Sequence, residues 1–144
     1  MDGEDELLAT ATAVRNAVGM IKRRSHDSSD SVLSLPEASV LSRLDRNGPD
    51  TIAGLARWEQ ITPQAMGTTV AGLEDRGLLR RSPDPADKRR QLLSLTDAGT
   101  RLVGSVRDAA TERYAKVLGE HFTAEELADI RRTATLLERL AQLL

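Results

Sequence analysis

Leu78-Leu79-Arg80-Arg81-Ser82-Pro83-Asp84-Pro85-Ala86-Asp87-Lys88-Arg89-Arg90-Gln91-Leu92-Leu93-Ser94-Leu95-Thr96 reads as two short strands joined by a loop. The flanks, Leu78 to Ser82 and Gln91 to Leu95, are of strand length and carry apolar side chains. Between them, Pro83, Asp84, Pro85 and Asp87 favour turns over a helix. Proline fixes φ and lacks an N–H, and aspartate bonds back to nearby amides. Lys88, Arg89 and Arg90 therefore sit on a hairpin loop, a wing.

Two short helices are expected immediately upstream. The first runs from about Ile52 to Glu59, with Ile52, Leu55 and Ala56 inward. The second opens at Thr62-Pro63, with Thr62 as N-cap and Pro63 in the first helical position. Met66, Val70 and Leu73 form its apolar stripe, and Gly77 is placed to end it in a left-handed conformation. Two such helices a few residues apart have helix-turn-helix spacing. Together with the wing they make a reading head from about Thr51 to Thr96.

Longer helices flank the head. Leu7, Ala11, Val14, Val18 and Ile21 alternate at four and three residues, predicting a helix from about Glu4 to Arg24. His26 to Ser31 is polar and reads as a loop. Ser34, Pro36 and Glu37 start the next helix with a capping box, Ala38, Leu41 and Leu44 continue it, and Asn47-Gly48-Pro49 ends it. Thr96-Asp97 caps a helix to about Glu120. Thr123 and Glu126 form a capping box for the last helix, where Leu127, Ile130, Ala134, Leu137, Ala141 and Leu144 alternate to the end.

The expected fold class is mainly α: an α+β winged helix-turn-helix with about six helices and a small two- or three-stranded wing. Its segments are 1–34 (dimerisation helix and loop), 35–96 (winged helix-turn-helix) and 97–144 (dimerisation helices). The terminal stripes have little within one chain to bury against, so Leu7, Ala11, Val14 and Val18, with Leu127, Ile130, Leu137 and Leu140, are expected to pair two copies.

Composition agrees with helix-on-helix packing. Hydrophobic residues make up 40% of the 144 residues and aromatics only 2%, so the core must be Leu, Ile, Val and Ala. The net charge is −2, yet Arg76 to Arg90 holds six basic and two acidic residues, +4, leaving −6 elsewhere. No cysteine is present, which excludes disulfides, thiolate metal sites and thiol sensing. The acidic N-terminus lacks a signal-peptide n-region, and no apolar run nears the roughly 18 residues of a membrane span. A cytoplasmic protein without membrane contact is expected.

The chemistry points to double-stranded DNA. A helix fits the major groove, where Gln pairs with adenine and Thr or Ala meets a thymine methyl. The outward side of the second short helix carries Gln64, Ala65, Thr68, Thr69 and Gly72. Thr62 with the first-turn amides, and Arg57, are phosphate contacts. Arg89 is the first choice to enter a minor groove, with Lys88, Arg90 and Arg81 as further cationic contacts and Asp87 as the carboxylate that holds a wing arginine.

Leu35-Pro36-Glu37-Ala38-Ser39-Val40-Leu41, Ile61-Thr62-Pro63-Gln64-Ala65-Met66, Leu73-Glu74-Asp75-Arg76-Gly77-Leu78-Leu79-Arg80-Arg81, Asp84 to Arg90 and Leu93-Ser94-Leu95-Thr96-Asp97-Ala98-Gly99 together resemble the MarR family of bacterial transcriptional regulators. The resemblance spans nearly the whole chain. Its most specific part is Asp87-Lys88-Arg89 followed by a strand ending Leu95-Thr96-Asp97-Ala98-Gly99. It implies a triangular homodimer interlocked by the first and last two helices, with two winged heads on a palindromic operator. It also implies a crevice for a small aromatic or anionic effector that releases DNA, hence a ligand-responsive repressor.

Family members often carry arginine where this chain has Thr68 and Gly72, and no basic residue lies between Thr62 and Leu73. Gly67 and Gly72 each cost a helix about 1 kcal/mol relative to Ala. Either the glycines let the backbone approach DNA closely, or binding is weak and relies on the wing. A winged-helix module for protein partners, with weak or no DNA binding, is the alternative reading. An enzyme has least support: there is no phosphate-cradling Gly loop, nucleophile elbow or metal-ligand cluster, and no cofactor is expected. His26 and His121 read as solvated, Trp58 as packing at the edge of the head, and Tyr114 as core or interface.

Overall fold

A computed structural model describes residues 3–26 and 32–144. The expected loop from His26 to Ser31, apart from the backbone of His26, lies outside the described residues. The elements are α1 (Gly3–His26), α2 (Leu35–Asn47), α3 (Ile52–Glu59), α4 (Pro63–Asp75), β1 (Leu79–Pro83), β2 (Gln91–Leu95), α5 (Asp97–His121) and α6 (Ala124–Leu143). This is the winged helix-turn-helix arrangement expected. The chain divides into two compact units, Met1–Val103 and Gly104–Leu144.

Within the first unit, the core lies where α2, α3 and α4 close on the hairpin. Val40, Leu41, Leu55, Met66, Val70, Leu73 and Leu93 are almost wholly buried, and Leu33, Leu44, Ala56, Leu78, Leu79 and Val103 complete the cluster. No aromatic ring takes part, as the composition requires.

Caps set the helix starts. Ser34 Oγ accepts from the Glu37 N–H, and the Glu37 carboxylate accepts from the Ser34 N–H at 2.8 Å. Thr51 and Thr62 cap α3 and α4 by accepting from the amides of Gly54 and Ala65. The α3–α4 turn places Gln60 at φ 56, left-handed for a residue with a Cβ.

The wing is an antiparallel pair in which Leu79 faces Leu95, Arg81 faces Leu93 and Pro83 faces Gln91. A third strand survives only as one residue pair, with Asp50 and Leu93 exchanging N–H···O bonds of 3.2 and 2.7 Å. The first strand begins one residue later than expected. Leu78 belongs instead to the turn that ends α4: its N–H donates to Leu73 O, and the Gly77 N–H donates to Glu74 O. This is a Schellman motif, with Gly77 at φ +71.

Thr96 then joins hairpin to helix. Its N–H donates to Leu78 O, its hydroxyl donates to Gly77 O at 2.6 Å, and its oxygen accepts from the Gly99 N–H. A Cβ at Gly99 would collide with the Leu78 carbonyl oxygen, so only glycine lets α5 start this close.

No residue of α6 is buried. Its start carries the expected box, with Thr123 Oγ1 accepting from Glu126 N–H and the Glu126 carboxylate accepting from Thr123 N–H. Among the described residues no helix is long and apolar enough to cross a membrane.

Candidate nucleic-acid interface

Pro63 and the Thr62 cap start α4, and its apolar stripe turns the opposite side outward. Gln64, Ala65 and Thr68 are exposed there, with Thr69 and Gly72 half-buried. The hydroxyls of Thr68 and Thr69 donate to the carbonyls of Gln64 and Ala65 at 3.3 and 3.4 Å. With their protons directed into the helix, both threonines are left with a methyl group and an oxygen acceptor to offer. Gly67 and Gly72 have no packing role, since a methyl group at either would meet nothing within 4 Å.

The wing loop is ordered by its own aspartates. Asp84 Oδ1 accepts from the Ala86 N–H, and its own N–H donates to Arg90 O, closing the loop. Asp87 accepts from the Arg89 N–H at 3.1 Å and from the Arg89 guanidinium at 3.2 and 3.4 Å. The side-chain bond from Arg89, then the backbone bond from Arg89, then the charge of Arg90 hold the Asp87 carboxyl below its ordinary value of 3.8. Arg89 is tethered from behind yet remains 90% exposed.

The basic strip divides by what each cation touches, a division that linear sequence hides. Arg76 is exposed but spoken for: its guanidinium reaches back to Glu37 at 3.4 Å and to Val32 O at 3.1 Å, tying the end of α4 to the start of α2. Arg81 places Nε and Nη2 on Glu74 Oε1, each at 2.8 Å. Arg57, Arg80, Lys88 and Arg90 are exposed. Among the described residues, the side chains of Lys88 and Arg90 form no ion pair.

Sequence reasoning did not find Arg43, which stacks 3.9 Å from the centroid of Trp58, or the bond from the Ser39 hydroxyl to Glu59 beside it. Both link α2 to α3. Trp58 lies at the edge of the head but is 60% exposed, with a guanidinium over its ring. Among the described residues no group of three or more His, Cys, Asp or Glu side chains could hold a metal ion.

The residues expected to pair two copies lie along two helices. On α1, Leu7, Ala11 and Val18 are exposed and Val14 is half-buried. On α6, Ile130 and Leu140 are exposed and Leu127 and Leu137 half-buried.

A family model described as "MarR family" matches residues 33–90. An HTH-type transcriptional regulator of Mycobacterium bovis is 36% identical over 72% of this chain and 71% of its own length. An HTH-type transcriptional repressor of Mycobacterium tuberculosis is 32% identical over 75% of each chain. Among solved structures, a transcriptional regulator of Pseudomonas aeruginosa superposes with a TM-score of 0.83 at 25% identity, covering 96% of both chains. A MarR family protein of Bacillus stearothermophilus superposes with a TM-score of 0.79 at 20% identity, covering 99% of both.

Proposed function

The chain belongs to the MarR family, and from that premise we propose that it is a DNA-binding transcriptional regulator acting as a ligand-responsive repressor. It works as a homodimer on a palindromic operator in the cytoplasm, by binding and not by turnover. The observation that carries the reading is the exposed Arg89 held by Asp87, together with an α4 whose outward Gln64, Ala65, Thr68 and Thr69 are all uncharged base-reading groups.

The proposed contacts divide by role. Arg89 enters the minor groove, where negative potential concentrates. Gln64, Ala65, Thr68 and Thr69 read bases in the major groove. Arg57, Thr62, Arg81, Lys88 and Arg90 meet the backbone, and Asp87 aims Arg89. The apolar stripes of segments 1–34 and 97–144, including Leu7, Ala11, Val14, Val18, Leu127, Ile130, Leu137 and Leu140, pair the subunits. In a two-fold dimer the reading helices then lie roughly 34 Å apart, one turn of DNA. A small aromatic or anionic effector releases DNA by favouring a dimer in which that spacing is wrong.

The test is a binding titration of the purified chain against a duplex recovered from random DNA, repeated over a range of salt. Arg89→Ala is expected to weaken binding and flatten the salt dependence by about one unit per contact. If affinity and slope are both unchanged, the wing assignment is wrong. The uncharged outer side of α4 keeps a protein-interaction module as the second reading, which a wild-type salt slope near zero would favour.

A further inference from the structure

Ser82 is exposed on β1, between Arg81 and Pro83. The other exposed hydroxyls from Ser34 to Thr96 are all engaged. Ser34 and Thr62 accept from the amides of Glu37 and Ala65, and Thr68 donates to Gln64 O. Among the described residues the Ser82 hydroxyl bonds to nothing. It caps no helix, and a strand offers it no carbonyl one turn back.

Its surroundings are cationic. Side chains alternate along a strand, so Ser82 shares a face with Arg80, while Leu79 and Arg81 point to the other. The cross-strand partners on the Ser82 face are Leu92 and Ser94, both uncharged. Arg81 is committed to Glu74. Arg80 is exposed and, among the described residues, has no ion pair. Asp84, beyond Pro83, turns a carboxylate oxygen to the Ala86 N–H. A free hydroxyl therefore stands about 7 Å along the strand from a free guanidinium. β1 is also the outer strand of the wing, because β2 gives its second edge to Asp50. Arg80-Arg81-Ser82-Pro83 is thus extended, at an edge, and marked by two arginines before the serine and a proline after it. Protein kinases select a hydroxyl by the charge pattern around it.

We infer that Ser82 is a phosphorylation site, and that its phosphoserine closes onto Arg80 and weakens the hold of the wing on DNA. In the step, Ser82 Oγ attacks the γ-phosphorus of ATP. The Oγ–P bond forms, the bond to ADP breaks, and the hydroxyl proton passes to the catalytic aspartate of a serine/threonine kinase. Phosphoserine brings a charge of about −1.5 to −2 at neutral pH and three acceptor oxygens. The +4 of Arg76 to Arg90 then falls to about +2. The switch rests on the DNA-binding reading above; the site itself does not.

One arm of the experiment tests the site. The purified chain and Ser82→Ala are incubated with an arginine-directed serine kinase and MgATP, beside a free peptide of residues 78–86 as the unstructured control. One phosphoryl group is expected on wild type, mapped to Ser82 by fragmentation mass spectrometry and absent from Ser82→Ala. If the peptide is modified and the folded chain is not, the hairpin shields the hydroxyl and the inference falls. It falls equally if neither is modified, or if phosphate lands elsewhere with Ser82 untouched.

The other arm tests the switch, with Ser82→phosphoserine made by codon suppression. Its phosphorus NMR titration should show a midpoint below the ordinary value of about 6, and Arg80→Gln should move it back up. Binding to a duplex recovered by wild type should weaken about tenfold, with a salt slope shallower by about one to two. Ser82→Asn should bind as wild type does, and all these variants should melt at the wild-type temperature. An ordinary midpoint that ignores Arg80→Gln removes the contact with Arg80, and unchanged affinity removes the switch. If wild type recovers no duplex, the DNA-binding reading fails, while a modified Ser82 with a lowered midpoint still upholds the site.

Discussion

Asp87 and Arg89 are two residues apart, and their pairing governs the wing at the residue scale. Because Arg89 holds the Asp87 carboxyl below its ordinary value of 3.8, the pairing is complete above that value and is lost only as pH falls through the depressed one. A carboxyl NMR titration of Asp87 should show a midpoint below 3.8, and Arg89→Ala should move it up. Asp87→Asn at neutral pH separates two effects. Removing a negative charge near DNA would by itself raise affinity, whereas untethering Arg89 lowers it. We expect a loss of roughly 3–10-fold in a binding titration. Gln60, at φ 56 in the α3–α4 turn, makes a prediction about stability alone. Gln60→Gly should raise the unfolding free energy by up to about 1 kcal/mol in urea, because glycine has no Cβ to strain there.

At the scale of the element, α4 is built against its own propensity. Gly67 and Gly72 weaken it, and neither is needed for packing. Gly67→Ala and Gly72→Ala should each stabilise the fold by about 1 kcal/mol, read from thermal or urea unfolding. The paired DNA titration decides between close approach and wing-led binding. If the backbone of α4 lies against DNA, Gly72→Ala stabilises the protein and weakens the complex. If the wing dominates, affinity is unchanged. Gly99→Ala should do the reverse to stability, costing several kcal/mol as the added methyl forces α5 off the Leu78 carbonyl. The helix boundaries were legible because caps are local: Ser34 with Glu37, Thr62 with Pro63, and Thr123 with Glu126 each act within three residues. The wing was legible because Pro and Asp dictate turns. The partners of Arg76 and Arg81 were not, because each depends on how the end of α4 turns back through Gly77. The sequence allowed the wing a third strand but did not place it at Asp50, since a single pair has no alternation to read.

For the molecule as a whole, apolar side chains lie exposed on α1 and on α6, which has no buried residue. A helix of this kind is seldom stable alone, because helix stability in proteins comes chiefly from packing an apolar face. The proposed homodimer supplies that packing. Ile130→Glu with Leu140→Glu should shift the sedimenting species from dimer to monomer, and the wild-type melting temperature should rise with protein concentration. A variant that still sediments as a dimer would place the interface elsewhere. The charge balance also acts at this scale. With a net charge of −2, the body repels DNA while Arg80 to Arg90 attracts it. Affinity should therefore fall steeply with salt, and the complex should dissociate in salt that leaves the fold intact.

Trp58 has a practical consequence. It is the chain's single tryptophan, and Arg43 lies over its ring while the residue stays largely exposed. All indole emission from this protein therefore originates at the seam between α2 and α3. A change in its intensity or colour on titration with DNA or a small molecule reports movement at that seam, with no dye attached. The absence of cysteine leaves every other surface position open to one chosen thiol label, so a second, orthogonal optical channel can be placed on the wing.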